Sequence, residues 1–262
     1  MLYDIIKTKE KEMPHFFIKS ENISNKKITI NDEDNFRHIV KSLRAKVGES
    51  LLLIDENQIQ YSTTISNIDK KKLTADINDS WKSQRKLNFE LYLAQSPLRS
   101  DAQNVIIEKA TELGCYGVYP IYTDNCALNK SVISNKIDKW QRIMYEASKQ
   151  CERAFIPKCY PLTTIENLIK NENFDYVISF CERFADKTFR EFVLENIGIF
   201  DNGKKVLIII GPEGGFSKRE FEYFEKIKLP MLTLGDLILK AETAVITAIG
   251  NIIYEYNCTR KN

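Results

Sequence analysis

The apolar run Val206-Leu207-Ile208-Ile209-Ile210 stops at Gly211-Pro212-Glu213-Gly214-Gly215, and a helix-prone stretch begins just beyond that turn. Unbroken apolar residues suit a strand covered on both faces, as in a parallel sheet between layers of helices. Ser217 and Glu220 have capping-box spacing, which predicts a helix over Lys218 to Ile227. A rigid turn between such a strand and a helix N-terminus lies where open α/β sheets hold ligands. Composition leaves two readings of the turn open, a loop that a ligand approaches closely and tight punctuation with no ligand. Glu213 suits either: its carboxylate can accept bonds from a sugar or amine, or hold neighbouring loops.

A second turn repeats the arrangement. The short strand Met231 to Leu234 ends at Gly235, and Glu242 and Thr243 fall in the first turn of a helix expected from Ala241 to about Tyr256. Acceptors there suit the free N–H groups of a helix start, so capping accounts for them as well as ligand contact does. Ala241, Ala244, Thr247, Ala248 and Gly250 would permit close approach by another helix or loop. Neither turn is a P-loop, and Gly-x-Gly-x-x-Gly is absent, which removes the main support for nucleotide hydrolysis or an ordinary dinucleotide fold.

Upstream, Phe89 to Ala94, Val118 to Tyr122 and Tyr176 to Phe180 read as strands, and Asp101 to Leu113 and Lys136 to Cys151 as helices, Asp101 being a candidate cap and Gly114 a stop. Residues 16–18, 27–30, 50–54, 60–65 and 72–77 are short β-prone runs with the texture of a small barrel. One helical pattern, Asp34 to Lys46, interrupts them. Phe36, Ile39, Val40, Leu43 and Val47 line one side of it; Arg37, Lys41 and Arg44 fall at roughly 0°, 40° and −20° around it and form a basic strip. The polar stretch 76–88 reads as the linker, giving domains 1–78 and 79–262.

The 262 residues carry 38 Lys+Arg against 36 Asp+Glu, so a nucleic-acid partner must be argued from local patches rather than from the net charge of +2. No apolar stretch is long enough for a membrane helix and the first residues lack signal-peptide order, so a cytoplasmic location is expected. The six cysteines form no CxxC pair and read as reduced thiols, mostly core fillers; with only His15 and His38, a zinc site has little material.

Five segments in order resemble the RsmE family of SPOUT-class enzymes. They are His38 to Arg44 (His-x-x-x-x-Leu-Arg), Lys109-Ala110-Thr111-Glu112-Leu113-Gly114, Glu146-Ala147 with Gln150 to Arg153, the Gly211 to Gly215 turn, and Leu234-Gly235 with Glu242-Thr243-Ala244. The resemblance implies an α/β fold with a C-terminal trefoil-knotted, mostly parallel sheet and a small N-terminal PUA-like β-barrel domain. It implies methylation of N3 of a uridine in small-subunit ribosomal RNA, free or in an assembling subunit, by a homodimer that uses S-adenosyl-L-methionine (AdoMet) and no metal. AdoMet would contact Ile210, Gly211, Glu213, Gly214, Gly215, Leu234, Gly235, Ile238, Leu239 and Thr243. RNA would contact Arg37, Lys41, Arg44 and Arg153. Uridine N3 must lose a proton to attack, which makes Lys240 the candidate cation and Glu242 or Glu213 the candidate acceptor.

The chain departs from the family pattern at Asp236, Leu237 and Lys240, where a proline and two arginines are usual, and at Arg99 to Ala102, where a Lys-Gly-Asp run is usual. Two other readings remain, a ribose 2′-O-methyltransferase of the same fold class and an RNA-binding assembly protein with weakened catalysis.

Overall fold

The computed structural model describes residues 15–83, 87–181, 184–185 and 187–260. The opening segment considered above for a signal peptide and residues 84–86 of the expected linker lie outside them. Backbone contacts divide the chain into one unit of residues 1–86 with 149–155, and another of residues 87–148 with 156–262.

The first unit contains β1 (His15–Phe17), β2 (Ile23–Ser24), β3 (Lys27–Ile30), α1 (Glu33–Phe36), β4 (Ser50–Ile54), β5 (Ile59–Ile68) and β6 (Leu73–Lys82). The strands form one six-stranded sheet in the order β1-β4-β5-β6-β3-β2. Alternate residues such as Ile28, Ile30, Leu51, Leu53, Leu73 and Ala75 enter its core with Phe16, Phe36 and Ile39. Two sequence expectations change. Residues 76–82, taken as linker, continue β6 opposite β5; residues 78–82 of β6 are all exposed and, apart from Trp81, polar, so that stretch shows no burial alternation. The helix expected to Lys46 is shorter. Asp32 caps α1 by accepting from the Asn35 N–H at 2.8 Å. The chain then widens into a π-type turn over Arg37–Ser42, with the Leu43 N–H reaching the His38 carbonyl, and Arg44 adopts a positive φ of 55°. Leu43 and Val47 are therefore exposed, at 44% and 59%, instead of joining the apolar stripe.

The second unit is a seven-stranded sheet, parallel throughout, built from β7 (Glu90–Gln95), β8 (Gly117–Pro120), β9 (Lys158–Cys159), β10 (Tyr176–Phe180), β11 (Lys187–Thr188), β12 (Lys205–Ile210) and β13 (Met231–Thr233). Its helices are α2 (Ser100–Glu112), α3 (Lys130–Ser134), α4 (Ile137–Gln150), α5 (Ile165–Asn171), α6 (Phe189–Glu195), α7 (Lys218–Lys226) and α8 (Ala241–Thr259). The apolar run of β12 is explained by its two faces. Val206, Ile208 and Ile210 pack with Ile106, Met144, Phe192 and Val245, while Leu207 and Ile209 pack with Ile165, Leu168, Phe216 and Phe224.

Strand order is β11-β13-β10-β12-β7-β8-β9, so β12 enters between β7 and β10, both laid down earlier in the chain. Gly114 ends α2 with φ 102°, as expected. Asp101 is not the cap of α2: Arg99 holds that position without a side-chain bond, and Asp101 sits in the first turn. The six cysteines form no disulfide; three are buried and three half-buried, and burial pushes the Cys159 thiol up to about 12, which leaves it protonated and inert. No described helix is long and apolar enough to cross a membrane, and no described cluster of three His, Cys, Asp or Glu side chains could hold a metal ion.

Candidate functional site

Register brings both glycine turns to one edge of the parallel sheet. Ile210 at the end of β12 is level with Gln95 of β7 and Phe180 of β10, and Phe180 is level with Leu232 of β13. The turn Gly211 to Gly215 and the loop Leu234 to Lys240 therefore leave the same edge from strands separated only by β10.

The turn after β12 is fixed from two sides. The Gly215 N–H donates to the Pro212 carbonyl at 2.9 Å, and Gly215 has φ 68°, a conformation that glycine adopts without steric cost. The turn then enters α7 through a complete capping box: Ser217 Oγ accepts from the Glu220 N–H at 3.2 Å, and Glu220 accepts from the Ser217 N–H at 2.7 Å. Glu220 is buried, and its other carboxylate oxygen accepts from the Asp124 N–H at 3.0 Å. Asp124 in turn accepts from Ser217 Oγ at 2.5 Å and from the Arg219 guanidinium at 2.9 Å through two nitrogens, while Arg219 also donates to Glu166 at 2.7 Å.

Arg219 first, then Ser217, hold the Asp124 carboxyl below the usual aspartate range. A depressed folded value means that this contact's contribution is complete above the unfolded pKa and is lost as pH falls through the folded one. The Asp124 contacts are therefore constant through the neutral range, and ligand affinity measured there should show no titration from Asp124.

The loop after β13 has its own restraint. The Thr233 hydroxyl accepts from the Gly235 N–H and donates to the Gly235 carbonyl, both at 3.0 Å, with Gly235 at φ 125°. Leu234 and Leu239 are half-buried against the core, whereas Leu237 and Ile238 are 78% and 71% exposed.

Among the expected ligand contacts, Ile210 and Gly211 are buried, Glu213, Gly214, Gly215, Gly235 and Thr243 are exposed, and a Cβ at Gly215 or Gly235 would meet no heavy atom within 4 Å. Open backbone on two turns at one sheet edge, with uncovered aliphatic side chains, suits a ligand that is part polar and part apolar, such as a nucleoside. Gly214 is more restricted. A Cβ there would stand 3.3 Å from the Asn125 Cβ, so its space is limited by a protein side chain.

Lys240 is exposed at the N-cap position of α8, where its carbonyl accepts from the Ala244 N–H at 2.8 Å and its side chain makes no cap. Glu242 is half-buried in the first turn. Among the described residues, nothing lies within 4 Å of the Gly250 Cβ position, so they do not provide the tight packing that its place in the helix suggested.

In the first unit Arg37, Lys41 and Arg44 are all exposed, but they do not form the helical strip expected: Arg44 lies beyond the helix and the π-type turn changes the angle between the other two. Arg153 is buried, with its guanidinium 4.3 Å from the Phe155 ring, and is not presented outward as a phosphate contact. Motif spacing identified the residue but carried no information on its burial. Sequence reading also missed Asp124, Asn125 and Arg219, which join the turn from outside its motif.

Comparison with known proteins fits this geometry. An RNA methyltransferase domain model matches residues 85–253 and an RNA methyltransferase PUA domain model matches residues 30–78. The chain is 30% identical to ribosomal RNA small subunit methyltransferase E of Mesomycoplasma hyopneumoniae, over 82% of this chain and 89% of the relative. It is 28% identical to the protein of the same name from Buchnera aphidicola of Acyrthosiphon pisum, over 92% and 93%. Among solved structures, ribosomal RNA small subunit methyltransferase E of Neisseria gonorrhoeae bound to S-adenosyl methionine superposes with a TM-score of 0.79 at 23% identity, covering 93% of this chain and 98% of that one. A putative methyltransferase of Legionella pneumophila in complex with the same cofactor gives 0.79 at 23% identity, covering 93% and 97%.

Proposed function

The chain belongs to the RNA methyltransferase family that includes ribosomal RNA small subunit methyltransferase E, and on that premise we propose that it methylates N3 of a uridine in small-subunit ribosomal RNA, using AdoMet. The observation that supports this most is the pair of glycine turns at positive φ, Gly215 and Gly235, at one edge of the parallel sheet. Two relatives with the same fold are described with S-adenosyl methionine bound.

AdoMet, when bound, supplies an activated methyl on its sulfonium and needs no metal to do so. The chain supplies position and electrostatics. Backbone groups of Gly211 to Gly215 and Leu234 to Leu239 would hold the cofactor, with Ile210, Ile238 and Leu239 as apolar cover and Glu213 and Thr243 as polar contacts. Lys240 stabilises negative charge that develops on the uracil ring as N3 loses its proton, and Glu242 or Glu213 accepts that proton. Lys240 and Glu242 start the same helix, so one rigid element presents both.

We assign methyl transfer to the parallel-sheet unit and RNA contact to the PUA-like unit that ends after β6 at Lys82, with the barrel typical of that family. Exposed Arg37, Lys41 and Arg44 provide the phosphate contacts. Substituting all three by Glu should weaken RNA binding at least tenfold and flatten its salt dependence, as read by filter binding across a salt series; unchanged binding and slope would remove this role. The entry of β12 between two earlier strands supports the family's trefoil knot. Open space at Gly250 and 68% exposure of Tyr254 on α8 support a homodimer through this helix, acting in the cytoplasm where ribosomal RNA is assembled. A fully active monomer in sedimentation would contradict the dimer.

Purified protein incubated with labelled AdoMet and unmodified small-subunit RNA, free or in particles, should yield a single 3-methyluridine on nucleoside mapping. A ribose 2′-O-methyl product, or RNA binding with no transfer, would overturn this function.

A further inference from the structure

Asn125 lies outside every motif discussed above, on the loop that follows β8, yet its side chain reaches the turn after β12. Its Nδ2 donates to the Gly214 carbonyl at 3.3 Å and to the Gly215 carbonyl at 3.1 Å. The peptide between Gly214 and Gly215 is thereby held at both ends, by Asn125 at its carbonyl and by Pro212 at its N–H. The next peptide is held through the Gly215 carbonyl. These two peptides flank the residue with φ 68°, where the backbone has most freedom to lose when a ligand orders it.

Gly214 is matched to the same contact. With its Cβ position 3.3 Å from the Asn125 Cβ, a side chain at 214 would crowd the asparagine where it meets the turn. The neighbouring Asp124 anchors the loop independently, through Glu220, Ser217 and Arg219, so the Asn125 backbone is held in place without its own side chain.

We propose that Asn125 is a positioning residue for the cofactor turn: by holding the Gly214 and Gly215 carbonyls it sets the turn in its binding conformation before AdoMet arrives. This rests on the reading that the turn binds AdoMet. Asn125 contributes no reacting group. A restraint paid in the free protein is not paid again on binding, so the effect falls on cofactor affinity rather than on the methyl-transfer step.

Two variants separate the donated bonds from simple packing. Asn125→Ala removes the side chain; Asn125→Asp keeps its shape but cannot donate to a carbonyl. Both should raise the calorimetric Kd for AdoMet about tenfold, the effect of losing one to two hydrogen bonds. RNA affinity and kcat at saturating AdoMet should stay near wild type. In cofactor-free protein, hydrogen exchange of the Gly215 and Phe216 amides should quicken in both. Wild-type affinity in Asn125→Asp would assign any alanine effect to packing and overturn the proposal, and so would unchanged exchange in both variants. If wild type itself failed to bind AdoMet, the functional reading would fall, while the exchange comparison would still decide whether Asn125 orders the turn.

Discussion

Glu220→Ala is expected to destabilise the catalytic unit by roughly 3 kcal/mol, because a buried carboxylate that serves two backbone donors is lost together with half of a capping box. Glu220 is 3% exposed and accepts from the Ser217 N–H at 2.7 Å and the Asp124 N–H at 3.0 Å. Alanine leaves both donors without their partner and uncouples the loop after β8 from the start of α7. Glu220→Gln keeps an amide oxygen for one of the donors and should cost about half as much. Urea unfolding of the three proteins measures the differences. A loss below about 1 kcal/mol for alanine would show that water replaces the carboxylate easily and that the loop and helix are joined in some other way.

The second large effect is on turnover. Lys240→Ala should lower single-turnover methylation about 100-fold, in the range found when one charge-stabilising group is removed from an active site, and should leave AdoMet affinity within about twofold, since the sulfonium gains nothing from a nearby cation. The side chain is exposed and makes no cap on α8, so its removal should not disturb the helix start. No other basic residue lies between Lys228 and Arg260 to replace it. Lys240→Arg should keep more activity than alanine, because it restores charge, though with a different geometry. If both variants methylate like wild type with RNA and AdoMet saturating, Lys240 faces solvent and has no part in the chemistry.

Features that depend on neighbours in sequence were legible. The covered strand Val206 to Ile210, the Ser217–Glu220 capping box, the stop at Gly114 and the start of α8 follow from local composition and spacing. Strand order did not, because periodicity says which residues are buried and not which strands adjoin; the entry of β12 between β7 and β10 has no local signature. Short helices α3, α5 and α6 were missed for lack of enough residues to show a period. The π-type turn at Arg37–Ser42 defeated a reading that assumed 100° per residue, and it displaced Leu43 and Arg44 together.

In the site, the motif located the turn but not the side chain that reaches it. Gly215 is explained by its own backbone, as the sequence suggested, whereas Gly214 answers to Asn125, a residue 89 positions away. Arg153 shows the same limit in the opposite sense, since a residue placed by a motif as RNA-facing is buried beside Phe155. What a single sequence cannot supply in both cases is the identity of the tertiary neighbour.

The placement of AdoMet on the two glycine turns is tested most directly by hydrogen exchange of the whole protein with and without saturating AdoMet. Protection should appear in both segments, residues 211–217 and 234–240, with the rest of the sheet edge changing less. AdoMet binding that protects neither segment, or protects only one of them, would contradict a site built from both turns.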